Sequence, residues 1–186
     1  MISAVAVEGT GKAGPTARGT MKITATEEYG LRCMLQLALR PGEVVSLTDL
    51  SRAEGVAVPF AAKVLLRLRR AGLVSATRGR RGGYQLAAPA SDVTVLQILD
   101  ALGKPLFDKN FCDDHGHAMA GGCMRLTDCS LRPVWAHLDA LLRQLFAQTT
   151  LADLASGERW TDSRLKERWP LQPSAAWQPA GTAGSR

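Results

Sequence analysis

Residues 44–89 read VVSLTDLSRAEGVAVPFAAKVLLRLRRAGLVSATRGRRGGYQLAAP. Ser46 is a side chain suited to cap a helix. It predicts a short helix, LTDLSRAE, with Leu47 and Leu50 inward and Gly55 as its stop. The next three residues cross a turn. Pro59 then stands in the first turn of a second helix, where a missing N–H leaves no bond unmade. Phe60, Val64, Leu65, Leu68 and Ala71 line one face of that helix. Lys63, Arg67 and Arg70 lie on the opposite face, and Gly72 ends it. Two short helices joined by a tight turn, the second one basic, make the helix-turn-helix pattern. Leu73 to Thr77 and Tyr84 to Ala87 then read as two short strands. RGRRGG between them supplies the glycines that a hairpin turn needs, so the hairpin is a wing with Arg78, Arg80 and Arg81 at its tip.

Charge supports a polyanionic partner for this region. The chain of 186 residues carries a net +6. No acidic residue occurs between Glu54 and Asp92, whereas Lys63, Arg67, Arg69, Arg70, Arg78, Arg80 and Arg81 all do. The rest of the chain is close to neutral, so the basic character is a local patch, the footprint expected of a nucleic-acid partner. Arginines on a hairpin tip can enter a minor groove or lie along phosphates. A winged helix used only as a protein-interaction module has no need of basic charge on both helix and wing. An enzyme is not indicated: there is no nucleophile–base pair, and RGRRGG lacks the Lys-Ser/Thr of a phosphate-binding loop.

Upstream, Thr26 to Leu39 reads as an amphipathic helix capped by Thr26, with Leu31, Met34, Leu35 and Ala38 on one face and Cys33 as a small core residue. Downstream, SDVTVLQILDALG predicts a capped helix with Val95, Ile98, Leu99 and Leu102 inward. LRPVWAHLDALLRQLFAQTTLADL predicts one long helix whose Val134, Leu138, Leu141, Leu142, Leu145 and Phe146 recur at helical spacing. A helix so apolar outside a winged helix needs a partner surface, and the same helix of a second subunit is the natural one. Leu138, Leu142 and Leu145 are expected in that homodimer seam. His137 reads as a surface or interface residue of this helix and not as a ligand.

The stretch from Met21 to about Leu154 resembles the IscR/NsrR family of winged-helix regulators. LRRAGLVSATRGRRGGYQLA, three clustered cysteines after the next helix and the ending TLADL carry the resemblance. It implies a homodimer that binds palindromic promoter DNA. Many members hold an iron–sulfur cluster and sense nitric oxide, redox state or iron–sulfur supply, and others hold none. Two departures stand out. Arg132 occupies the position three residues after the last cysteine where IscR-like members have a ligating His. NsrR-type members take a carboxylate from the first helix of the other subunit, and Glu28 is the matching residue here. The first cysteine gap, Cys-x10-Cys, is longer than the family usually shows. A polar pair that reads bases in IscR is Ala62 and Lys63 here, so a different DNA site is expected.

Residues 111–130, FCDDHGHAMAGGCMRLTDCS, hold three of the four cysteines and two of the three histidines. Clustered thiolates form a soft-metal site. Zinc favours Cys-x2–4-Cys pairs, which are missing. Iron–sulfur clusters tolerate wider spacing in a loop. Cys112, Cys123 and Cys129 leave a fourth position for Glu28, His115, His117, water or a small molecule. Bare redox thiols and zinc stay open as alternatives.

The expected fold class is mainly α: a winged helix-turn-helix domain with a β-hairpin wing and a long C-terminal dimerisation helix. Residues 1–20 are expected to be a disordered leader, 21–103 the DNA-binding domain and 104–132 the cysteine-rich loop. Residues 133–155 are expected to form the dimerisation helix and 156–186 a largely disordered tail. The expected function is a cytoplasmic transcriptional regulator, a repressor, that binds double-stranded promoter DNA as a homodimer. Lys63, Arg67, Arg70, Arg78, Arg80 and Arg81 contact the DNA. A 2Fe–2S or 4Fe–4S cluster on Cys112, Cys123, Cys129 and Glu28 controls binding. The alternative is a cluster-free regulator switched by thiol oxidation, zinc or a small molecule. No apolar run is long enough to cross a membrane, so no membrane partner is expected.

Overall fold

A computed structural model of the chain describes residues 23–103, 125 and 128–170. The leader 1–20, most of the cysteine loop and residues 171–186 lie outside the described residues.

The first helix, α1 (Ala25–Ala38), is capped by Thr24, not Thr26. The reason is reciprocal bonding. Glu27 N–H donates to the Thr24 hydroxyl at 3.2 Å, and Thr24 N–H donates to the Glu27 carboxylate at 2.7 Å. Its buried residues are Gly30, Cys33, Met34 and Leu37, with Leu31, Leu35 and Ala38 only partly covered. The covered stripe is rotated from the expected one because α1 is central, packed on several sides by the helices and strand that follow.

Helix α2 (Leu47–Glu54) starts at Ser46, whose hydroxyl accepts from Asp49 N–H, and stops at Gly55 with φ 65°. Helix α3 (Val58–Arg70) buries Ala61, Val64, Leu65 and Leu68, and Pro59 stands in its first turn. Phe60 is only partly covered and Ala71 is exposed, so the core stripe begins one position later than the sequence suggested. At its end Gly72 N–H bonds Arg69 O and Leu73 N–H bonds Leu68 O, a closure that needs the positive φ of Gly72. That turn delivers the chain into β1 (Val74–Thr77), antiparallel to β2 (Gly83–Leu86), with Val74 opposite Leu86 and Thr77 opposite Gly83. Val45 and Tyr84 exchange backbone bonds at 2.8 and 2.9 Å and fasten the wing to the start of the helix-turn-helix.

Helix α4 (Val95–Leu102) is capped by Thr94 and Gln97 and buries Val95, Ile98 and Leu102. Leu99 is half-buried. The segment expected as one long helix is two. After α5 (Arg132–Ala147), the chain breaks at residues 148–150, and Thr150 recaps α6 (Leu151–Ala155). The break lets Leu151 enter the core, fully buried, while Leu151 N–H bonds Val93 O and Val95 N–H bonds Thr149 O. Bonds from Thr150 hold the Asp153 carboxyl below the ordinary carboxylate range.

Within the segment 156–186, expected to be largely disordered, residues 158–168 instead form α7 (Glu158–Arg168). This helix has no apolar stripe. It is held by the Lys166–Asp162 pair at 2.7 Å, by Thr161 donating to Asp153 O at 3.0 Å and by Arg168 donating to Gln148 O at 2.8 Å.

Thirteen residues of α1–α4, β1, α6 and the segments between them form one apolar core, among them Met34, Leu37, Leu50, Leu65, Leu68 and Ile98. Helix α5 contributes none of its residues to it. No described helix is long and apolar enough to cross a membrane.

Candidate nucleic-acid interface and cysteine site

Burial of Val64, Leu65 and Leu68 fixes which way α3 faces, and the outward side carries Lys63, Arg67, Arg69 and Arg70, all exposed. The hairpin then projects Arg78, Arg80 and Arg81, also exposed. Gly79 has φ 115°, and Gly82 N–H closes the tip on Gly79 O at 2.9 Å. Gly83 sits where a Cβ would collide with the Val45 carbonyl, so glycine sets the wing against the domain. Among the described residues none of these seven cations forms a salt bridge, whereas Arg32, Arg52, Arg143, Arg164 and Lys166 all do. Cations without an acidic partner on α3 and the wing give a positive potential open to phosphates.

Arg67 differs from its neighbours. Its Nη1 donates to the Leu102 carbonyl at the end of α4, at 2.9 Å. Its place on the basic face puts it with the expected DNA contacts, and no sequence pattern signals this bond, which joins positions 35 residues apart. Nor does any sequence pattern signal the bond from Arg143 of α5, which donates to both oxygens of Asp100 on α4 at 3.1 Å. Asp100 raises the Arg143 pKa by that hydrogen bonding and by its charge. The clue available in the sequence was that Asp100 is the one acidic residue on α4.

Cys33 is a core residue, as expected. It is fully buried, and burial, followed by the charge of Glu54, pushes its thiol up to about 11. A thiol so protonated is neither a ready nucleophile nor a ready ligand.

Cys129 is a free, half-buried cysteine just before α5, and its carbonyl accepts from Arg132 N–H at 3.2 Å. Cys112, Cys123, His115 and His117 lie outside the described residues. Among the described residues no three His, Cys, Asp or Glu side chains gather as a metal site. Glu28 stands in the first turn of α1, its side chain 44% exposed and its carboxylate accepting from Arg32 Nε at 2.7 Å. Arg32 also lies over the Tyr29 ring, and Tyr29 meets Phe60 of α3 edge to face at 5.8 Å. His137 is exposed, with Nδ1 2.8 Å from the Pro133 carbonyl one turn back.

Leu138, Leu142 and Leu145 of α5 are half-buried within one chain. Beside them Leu131, Val134 and Leu141 are 60%, 55% and 62% exposed.

The family model Rrf2, described as an iron-dependent transcriptional regulator, matches residues 23–157. A Mycobacterium tuberculosis protein named as an HTH-type transcriptional regulator is 36% identical over 138 residues, covering 74% of this chain and 83% of its own. The transcriptional regulator IscR of Vibrio atlanticus is 33% identical over 135 residues, covering 72% of this chain and 75% of its own. Among solved structures, CymR, the global cysteine regulator of Bacillus subtilis, superposes with a TM-score of 0.59 at 27% identity, covering 74% of this chain and 98% of its own.

Proposed function

Because this chain belongs to the Rrf2 family of transcriptional regulators, a family of winged-helix DNA-binding proteins, we propose that it is a homodimeric repressor whose promoter binding is governed by an iron–sulfur cluster. The observation that carries the reading is the gathering of three of four cysteines between α4 and α5, with the fourth sealed in the core. Lys63 and Arg70 on α3 and Arg78, Arg80 and Arg81 on the wing contact double-stranded DNA. Two copies pair through Leu138, Leu142 and Leu145, which would close the apolar face that one chain leaves open.

The donor set suits the cluster. Cys129 is a free and partly accessible thiol, and Cys112 and Cys123 share its loop. Three thiolates leave one position for a weaker oxygen donor. Glu28 of the partner subunit is the proposed fourth ligand, its carboxylate partly exposed. When bound, such a cluster supplies a redox-active iron with one displaceable ligand. Arg32 holds the Glu28 carboxylate by a charge-assisted bond, so it orients that group. A ligand donated across the dimer links the state of the cysteine loop to the spacing of the two recognition helices. Helix-turn-helix dimers need that spacing matched to about one turn of DNA.

A cluster-free switch by thiol oxidation, zinc or a small molecule is the second reading, favoured by the likeness to a cysteine regulator. Anaerobic purification with a visible spectrum and iron and sulfide counts separates the two. The first reading expects a brown protein, loss of the cluster on changing any of Cys112, Cys123 or Cys129 to Ala, and a cluster of altered spectrum in Glu28→Ala. Colourless protein without iron or sulfide rejects it.

A further inference from the structure

Helix α4 ends with carbonyls that have no partner within the helix, and it carries no basic residue in its last turn. The cation comes from another element. Arg67, projecting from α3, donates to the Leu102 carbonyl at 2.9 Å, which also complements the negative end of the helix dipole. Two residues earlier, Asp100 accepts both Arg143 guanidinium nitrogens from α5 at 3.1 Å. A planar two-bond contact of this kind fixes orientation as well as distance. The same helix end is seated tightly on α1. A Cβ at Gly30 would collide with Leu102 Cδ1, and one at Gly103 would collide with the Glu27 carboxylate. Helix α4 therefore has an arginine from a different helix on each side of its last turn and little room to slide against α1.

We propose that Arg67 is a positioning residue and does not touch phosphate. Together with Asp100 and Arg143 it clamps α4 between α5 and α3, so that the attitude of the recognition helix follows α4 and α5. The clamp deepens the proposed function by giving α5, the helix proposed to carry the dimer seam, a bonded route to the DNA-reading helix. It rests on that reading of α3 and α5, and not on any cofactor at the cysteines.

The test uses the full chain and two duplexes: one enriched by the wild-type protein from a random library, and one of unrelated sequence. Binding is titrated across salt for wild type, Arg67→Met, Arg143→Met, the double variant and Arg67→Lys, with thermal unfolding as a check on folding. Were Arg67 bound to a phosphate, its removal from both subunits would lower the salt slope by about 1.8 and weaken both duplexes. The clamp predicts otherwise. Arg67→Met keeps the wild-type slope and its affinity for unrelated DNA, and binds the enriched duplex about tenfold more weakly, the size of one mismatched base pair. The double variant is no weaker than either single variant, because both break one connection. Arg67→Lys, which retains a donor and covers the case of a misfolded Met variant, restores most of the specific affinity. A reduced slope, or additive losses in the double variant, overturns the proposal. Cluster content is read separately from the visible spectrum, so a failure of the iron–sulfur reading is distinguishable from a failure of the clamp.

Discussion

The outer face of α3 with its wing and the apolar face of α5 are both exposed, for opposite reasons. Under α3, Ala61, Val64, Leu65 and Leu68 are at most 1% exposed, so the helix is anchored and its cations stand outward without ion-pair partners. Helix α5 buries none of its residues and leaves Leu141 62% and Val134 55% exposed. The first face is anchored within one chain, and its charge suits a polyanion. The second is apolar, and water is a poor solvent for it. The charge of one surface suits a polyanion, and the apolar character of the other suits a second apolar surface.

The sharpest way to break this comparison is a charge on α5. Leu142→Glu places an unpaired carboxylate in the proposed seam, at a cost of several kcal/mol to association. Light scattering is expected to show monomers, with thermal stability of the single domain little changed. A dimer of unaltered size removes α5 from the interface and leaves its apolar face unexplained.

The core beneath the basic face offers a pH test. The Cys33 thiol lies at about 11 in the fold against an ordinary value of 9.0. The unfolded chain therefore loses this proton first as pH rises, so the contribution is complete below about pH 9 and is lost as pH climbs towards 11. The difference between wild type and Cys33→Ala should shrink by about 2–3 kcal/mol over that window, at roughly 1.36 kcal/mol per unit. Denaturant titrations at the two ends of the window measure it. A constant difference means that the thiol is not sealed in the core.

Arg78→Ala sharpens the charged side. Removing one wing arginine from the phosphates in each subunit should lower the salt slope of DNA binding by about two. An unchanged slope removes the wing tip from the interface. The smallest effect is expected at Thr24→Ala. Loss of the α1 cap should cost about 1 kcal/mol in chemical denaturation, with the salt slope untouched.

How much of this was legible in the sequence followed the range of the interactions. The helix-turn-helix and the wing were readable because local rules make them: Ser46 and Gly55 bound α2, Gly72 closes α3, and the basic residues recur on one face. The start of α1 was misplaced by two residues because Thr24 and Thr26 are equal as caps until Glu27 chooses between them. Helix α7 was missed because ion pairs and two bonds to earlier carbonyls hold it, not a stripe of apolar residues. The break between α5 and α6 was hidden because both flanks continue the helical period, and only docking of Leu151 into the core selects the cap at Thr150. Within the candidate site, the charges of the DNA face were countable from composition. The bond from Arg67 to Leu102 was not, since no local pattern links a side chain on α3 with a carbonyl on α4.

Control of promoter binding by the cysteine loop is read most simply from DNA affinity with and without the cluster. Anaerobically purified protein and the same preparation stripped of iron are titrated against one enriched duplex at one salt concentration. The variant with Cys112, Cys123 and Cys129 all changed to Ala is run beside them. Removing iron is expected to change the affinity of the wild type by about tenfold or more, the 1–3 kcal/mol range of a coupling between two sites. The triple variant should bind alike before and after stripping. Equal affinities for loaded and stripped wild type, or a triple variant that keeps its iron and its response, would contradict it.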